Sequence, residues 1–150
     1  MAINIVLVEP EIPNNTGNIG RLSLAVGAKL HLVKPFGFEL SDKRVKRAGL
    51  DYWKHVDIEI HEDVEAFFEK YGEEHLALMS SHGKNAYTKI DPKDNIFLVF
   101  GKESTGLGDT LRSQYEDRLY SIPIVSEHVR SLNLANAVSI VAYHCLGKMK

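Results

Sequence analysis

The sequence predicts an α/β fold: a mostly parallel sheet with helices on both faces. Three observations predict it. Ile3–Val8 and Ile96–Phe100 are nearly unbroken aliphatic runs, as expected of strands buried on both faces rather than strands with one wet side. Short apolar runs alternate with segments of helical spacing along the chain, the pattern that parallel sheets require for their crossovers. Several of these runs also stop at a polar loop rich in Asn, Ser, Gly or Glu.

In order, Ile3–Val8 reads as the first strand, and Glu9 to Gly17, with two prolines and two asparagines, as a loop. A helix is expected from Asn18, with Ile19, Leu22 and Val26 on one face and Gly27 as its stop. Leu30–Val33 is a second strand. Ser41 or Asp42 can cap a short helix that carries Lys43, Arg44, Lys46 and Arg47 and ends at Gly49. Val56–Ile60 alternates as a strand, and Asp63–Tyr71 has helical spacing through Val64, Phe67 and Phe68. Leu76–Met79 is a strand running into Ser80-Ser81-His82-Gly83. Ile96–Phe100 ends at Gly101-Lys102-Glu103-Ser104-Thr105-Gly106, and Leu107–Tyr115 reads as helix. Leu119–Ile122 is a strand stopped by Pro123. After a polar loop, Ser131-Leu132-Asn133 opens the last helix, with Ser131 or Asn133 as cap. In it Leu134, Ala137, Val138, Val141, Ala142 and Cys145 form an apolar stripe.

The chain has 150 residues, 44% hydrophobic and 25% charged, enough for one domain with a sizeable core, and 1–150 is read as a single domain without repeats or linkers. Net charge of −2 gives no global nucleic-acid signal, so any basic surface is local. Lys43, Arg44, Lys46 and Arg47 put four of eighteen basic residues in five positions, the best candidate for phosphate contacts. Such a run also suits a solvated helix face. Tyr52 and Trp53 beside it could stack on an unpaired base or anchor a neighbouring helix. The one cysteine, Cys145, excludes internal disulfides and reads as core. No signal peptide and no bilayer-spanning run is present, so a cytoplasmic location is expected.

Ligands of open α/β sheets bind at the carboxyl ends of strands, which directs attention to the loops around Asn14–Arg21, Gly101–Gly106 and Val125–Asn133. None is a Walker loop or a Gly-x-Gly-x-x-Gly turn. Gly-x-Ser-x-Gly is absent, which argues against a hydrolase built on Ser80 or Ser81. Seven histidines show no metal-ligand spacing, and no metal is expected.

Three motifs, in order, are Pro13-Asn14-Asn15-Thr16-Gly17-Asn18-Ile19-Gly20-Arg21, Phe100-Gly101-Lys102-Glu103-Ser104-Thr105-Gly106-Leu107 and Arg130-Ser131-Leu132-Asn133-Leu134-Ala135-Asn136-Ala137. With Asp42-Lys43-Arg44 and the stretch from Arg47 to Trp53, they make the whole chain resemble the SPOUT-class RNA 2′-O-methyltransferases, nearest the small branch that methylates the wobble nucleotide of tRNA. The resemblance implies a C-terminal trefoil knot, which periodicity alone would argue against. It also implies an S-adenosylmethionine pocket made by three loops, and a homodimer with the active site at the interface.

Carried over residue by residue, the resemblance makes Met79, Gly101, Ile122 and Ser131 the cofactor-binding walls. Arg21, Asn15, Glu103, Ser131 and Asn133 match its active-site positions. A guanidinium keeps its proton, so Arg21 is expected to hold the phosphate beside the target ribose and to stabilise charge developing on the 2′-oxygen. Glu103 would orient Arg21 or the ribose, and Asn133 would donate hydrogen bonds, cap the helix, or both. His82 stands where relatives often carry a lysine, so no role of that lysine is transferred.

The expected activity is methyl transfer from S-adenosylmethionine to the 2′-oxygen of nucleotide 34, cytidine or modified uridine, in the anticodon stem-loop of tRNA, leucine isoacceptors in particular. The alternatives are another tRNA or rRNA ribose, a non-catalytic RNA-binding module and, more distantly, a serine hydrolase. A homodimer is expected in which Arg21 of one chain serves the cofactor of the other. Its interface would use the helix after Asn18 and the last helix, whose far side carries Asn136, Ser139 and Tyr143.

Overall fold

The computed structural model describes residues 2–149, apart from the side chains of residues 48–51. Seven strands form one sheet in the order β3-β2-β1-β6-β4-β7-β5, and every adjacent pair runs parallel. They are β1 (Ile3–Val8), β2 (Lys29–Val33), β3 (Ile58–His61), β4 (Leu76–Met79), β5 (Asn85–Ala86), β6 (Ile96–Phe100) and β7 (Leu119–Ser121). The helices are α1 (Pro13–Val26), α2 (Lys43–Gly49), α3 (Val64–Tyr71), α4 (Asp109–Gln114) and α5 (Leu134–Lys148).

The aliphatic runs are buried on both faces for a simple reason. Strand side chains alternate, and each face meets helices. Ile5 and Leu7 of β1 pack with Ile19 of α1 and Val138, Val141 and Cys145 of α5. Val6 and Val8 face the other way, into a cluster with Phe67 of α3, Phe97 and Val99. Burial pushes the Cys145 thiol up to about 11, so it sits there as a small apolar group.

Differences from the sequence reading are local. α1 begins at Pro13, not Asn18. No local side chain caps it, since its N-cap is Ile12; Pro13 starts it with a preset φ, and a distant carboxylate supplies the cap. β3 starts two residues late, at Ile58, because Leu50–His55 forms a 3₁₀ turn and Val56 donates its N–H back to the Trp53 carbonyl. α4 is trimmed to Asp109–Gln114, since Gly106 and Gly108 take positive φ ahead of it. β7 ends at Ser121, and α5 begins at Leu134 with Asn133, not Ser131, as its cap. Of the two candidates ahead of α2, Asp42 is the acceptor, taking the Arg44 N–H at 2.8 Å. β5, two residues long, carries too little pattern to be foreseen.

Trp53 is the anchor rather than the stacking face. Its ring lies so close on Gly20 that a β-carbon there would collide with it. No helix among the described residues is long and apolar enough to cross a membrane.

All strands being parallel, their carboxyl ends share one edge. The chain leaves β1 towards β2 and β3 on one side and later fills β6, β4 and β7 on the other. The loops after β1, β6, β4 and β7 therefore gather at the point where the order reverses.

Candidate functional site

At this edge lies an open cleft of about 590 Å³. Met79, Gly101, Ile122 and Ser131, expected as cofactor walls, all line it, as do Asn15, Glu103 and Asn133. Met79 is buried at the end of β4. Gly101 is required by its own loop: a β-carbon would strike the backbone of Gly106 and Leu107, where residues 102 and 106 close a tight turn with a 2.9 Å hydrogen bond. Gly83 likewise lies against the backbone of Tyr120, so the loop after β4 presses on β7 with no room for a side chain.

The loops after β1 and β6 hold each other. Glu103 accepts the N–H groups of Glu11 at 2.8 Å and Ile12 at 2.9 Å, and the Asn15 amide at 3.1 Å. The Ile12 N–H is an orphan donor at the start of α1, so Glu103 caps a helix 91 residues away in sequence. In return the Glu11 carboxylate accepts the Ser104 N–H at 2.8 Å and its hydroxyl at 3.0 Å. Those bonds hold the Glu11 carboxyl below the usual carboxylate range. Lys102 adds an ion pair to Glu9 at 3.0 Å, and Glu9 itself has a φ of 53°. A chain of side chains runs on from Glu103: Asn133 donates from Nδ2 to Asn15 Oδ1 at 3.2 Å, while its own Oδ1 accepts the Ala135 N–H at 2.9 Å. Asn133 thus caps α5 and faces the cleft at once.

Other expected residues lie elsewhere. Arg21 is exposed on α1 and does not line the cleft; its guanidinium stands 5.2 Å from the centre of the Tyr52 ring. Glu103 is bonded to the start of α1 and not to Arg21. Lys43, Arg44, Lys46 and Arg47 are exposed on α2, outside the cleft. Arg44 pairs with Asp42 at 3.0 Å, which lowers the Asp42 carboxyl below its ordinary range. Part of the stretch from Arg47 to Trp53, residues 48–51, has side chains outside the described set.

Sequence reasoning missed two features. The first is Arg112 of α4, which lines the cleft beside His82; of the two only His82 had been singled out, and without a role. The second feature is away from the cleft, on the β2 and β3 side of the sheet. There His31 Nδ1 lies 3.0 Å from His61 Nε2, His31 Nε2 lies 3.1 Å from Asn4 Oδ1, and His61 is 3.5 Å from Glu59. Period-two alternation puts His31, Glu59 and His61 on one face, the only signal that could have found them. The tautomers that satisfy these bonds have His31 donating to Asn4 and accepting from His61. Burial pushes the His31 imidazole down to about 4. Burial raises the Glu59 carboxyl, but hydrogen bonds from Lys29, Lys70 and Tyr71 outweigh this and pull it to about 2.

Residues 2–143 match the model of the SpoU rRNA Methylase family. An Escherichia coli K12 protein named tRNA (cytidine(34)-2′-O)-methyltransferase is 42% identical over 142 residues, 94% of this chain and 90% of that one. A relative from Geobacillus stearothermophilus is 43% identical over 149 residues, 97% of this chain and 94% of its own. A solved structure described as giving insights into the 2-OH methylation of C/U34 on tRNA superposes with a TM-score of 0.93 at 38% identity, over 99% of this chain and 96% of that one. The Streptomyces viridochromogenes SpoU methyltransferase AviRb, solved with AdoMet, shares the fold at a TM-score of 0.85 and 21% identity, over 99% of this chain and 58% of its own. The parallel sheet, the strand-end cleft and these matches lead to one conclusion: the chain belongs to the SpoU methylase family.

Proposed function

We propose that this chain transfers the methyl group of S-adenosylmethionine to the ribose 2′-oxygen of nucleotide 34 in tRNA, with leucine isoacceptors as substrates, in the cytoplasm. The observation that carries the reading is the convergence of Met79, Gly101, Ile122 and Ser131 with the Asn15–Glu103–Asn133 chain in one cleft. Its volume of about 590 Å³ suits a nucleoside-sized ligand. Met79 and Ile122 offer apolar walls to a flat base, and Gly101 lets the loop after β6 close tightly beside them. The relatives' names supply the position on the RNA.

The bound cofactor would supply an already activated methyl on a sulfonium. The chain's own residues have to align the hydroxyl with it and manage the hydroxyl proton. Asn15 and Asn133, fixed by each other and by Glu103, give the site a rigid polar rim. Arg21 would hold the phosphate beside the ribose and offset charge on the 2′-oxygen.

Arg21 lies outside its own chain's cleft, which supports a two-fold assembly where it serves the partner's. The exposed faces of α1 and α5, the latter with Asn136, Ile140 and Tyr143, are the surfaces such a dimer would cover. Two copies of α2 would then present Lys43, Arg44, Lys46 and Arg47 twice to one RNA. The reading also implies a single domain whose C-terminal path is knotted. Supporting this, β7 lies between the earlier strands β4 and β5 rather than at an edge.

Mass spectrometry of tRNA nucleosides from a deletion strain tests the substrate. Ribose methylation at position 34 should disappear, and an unchanged level there would refute the assignment. The family description keeps one second reading in play, a different tRNA or rRNA ribose, which the same spectra would reveal.

A further inference from the structure

The cleft is electrically lopsided. On the α1 side its carboxylate, Glu103, is already engaged by three donors, and Lys102 is neutralised by Glu9. On the α4 side Arg112 contributes a guanidinium to the wall, with its side chain 25% exposed. Two partners set it. Its Nη2 donates to Asp109, one helical turn back, and its Nη1 lies 2.6 Å from Nδ1 and 3.0 Å from Nε2 of His82. The Asp109 carboxylate is 92% exposed, so water screens its charge while it still fixes the guanidinium's direction. His82 is held in turn by Ser80, whose hydroxyl oxygen accepts the His82 N–H at 3.1 Å. Arg130 also lines the cleft, but from the exposed loop after β7, with no side-chain bond fixing it among the described residues.

A guanidinium has five N–H donors, and two bonds leave several for a ligand. We propose that Arg112, oriented by Asp109 and packed against His82, is the anion subsite of the cleft and binds the carboxylate of the cofactor's amino-acid tail. This rests on the cofactor reading above and adds the polarity of binding: base between Met79, Gly101 and Ile122, carboxylate towards α4. His82 follows Met79 by three residues, so one short loop reaches both ends of the ligand. A planar fork facing a carboxylate is the geometry in which arginine outperforms a point charge.

Calorimetry with two probes tests it. S-adenosylhomocysteine carries the amino-acid tail; 5′-methylthioadenosine has the same adenine, ribose and thioether without it. In Arg112→Gln, affinity for S-adenosylhomocysteine falls roughly 10- to 100-fold, the usual loss for one charge-assisted bond, while affinity for methylthioadenosine is unchanged. Arg112→Lys, keeping the charge and losing the fork, falls in between. The proposal is overturned if S-adenosylhomocysteine binds Arg112→Gln as tightly as wild type, or if both probes weaken together. It is equally overturned if the variant loses only tRNA binding, which would make the anion an RNA phosphate. Wild-type protein that binds neither probe refutes the cofactor reading itself, a result distinct from all of these.

Discussion

Asn15 donates to the Glu103 carboxylate at 3.1 Å while its own carbonyl accepts from Asn133 at 3.2 Å, so one amide ties the loops after β1, β6 and β7 together. The same carboxylate holds the Glu11 and Ile12 N–H groups, which makes Glu103 a structural cap as well as a cleft residue. Glu103→Gln keeps the shape but replaces one acceptor oxygen with a donor facing an N–H. It should lower unfolding free energy by about 1–2 kcal/mol and methyl transfer with it. Denaturant unfolding checks this. Full stability with lost activity would mean that Glu103 acts on the substrate alone.

Gly20 gives room to Trp53, whose ring covers it. Gly20→Ala gains helix propensity, up to about 1 kcal/mol, but overpacks the contact at roughly 1–3 kcal/mol. A net loss is expected, and adding Trp53→Leu should restore stability. If Gly20→Ala alone stabilises the protein, the contact is looser than described.

Acid should weaken the fold through the His31 cluster. His31 holds a proton less readily in the folded chain, about 4 against 6.5, so its contribution is complete above pH 6.5 and is lost as pH falls towards 4. Roughly 2 kcal/mol should go between pH 7.5 and 5. Glu59, pulled to about 2 from 4.5, extends the loss below pH 4.5. Urea unfolding at pH 7.5, 6 and 5 measures the slope, and His31→Gln should flatten it. A wild-type protein equally stable at pH 7.5 and 5 would contradict this.

Shared active sites can be read from mixed variants. Arg21→Ala removes the arginine, and Ser131→Tyr blocks the cleft wall. If Arg21 serves its partner's cleft, mixed dimers keep one intact site and regain activity that neither variant shows alone. No recovery, with subunit exchange demonstrated, would mean that each chain works by itself.

Where local pattern decides structure, the sequence was readable. β4 and β6 fall where their aliphatic runs lie, and β1 likewise, because unbroken apolar runs of that length suit buried parallel strands. The first turns of α1 were not readable. Asn14, Asn15, Thr16 and Gly17 are poor helix formers, and what holds them is a carboxylate from the loop after β6. Met79, Gly101, Ile122 and Ser131 came from family likeness, and their shared cleft depends on a strand order that adjacent residues do not reveal. His82 and Arg112 are 30 residues apart, and only the fold brings them together.

The most direct test of the central claim is methylation of total tRNA by the purified chain with methyl-labelled S-adenosylmethionine, followed by mapping of the labelled nucleotide. Label on the ribose of nucleotide 34 is the predicted result; label confined to another position, or none at all with active wild-type protein and unmodified tRNA, would contradict it.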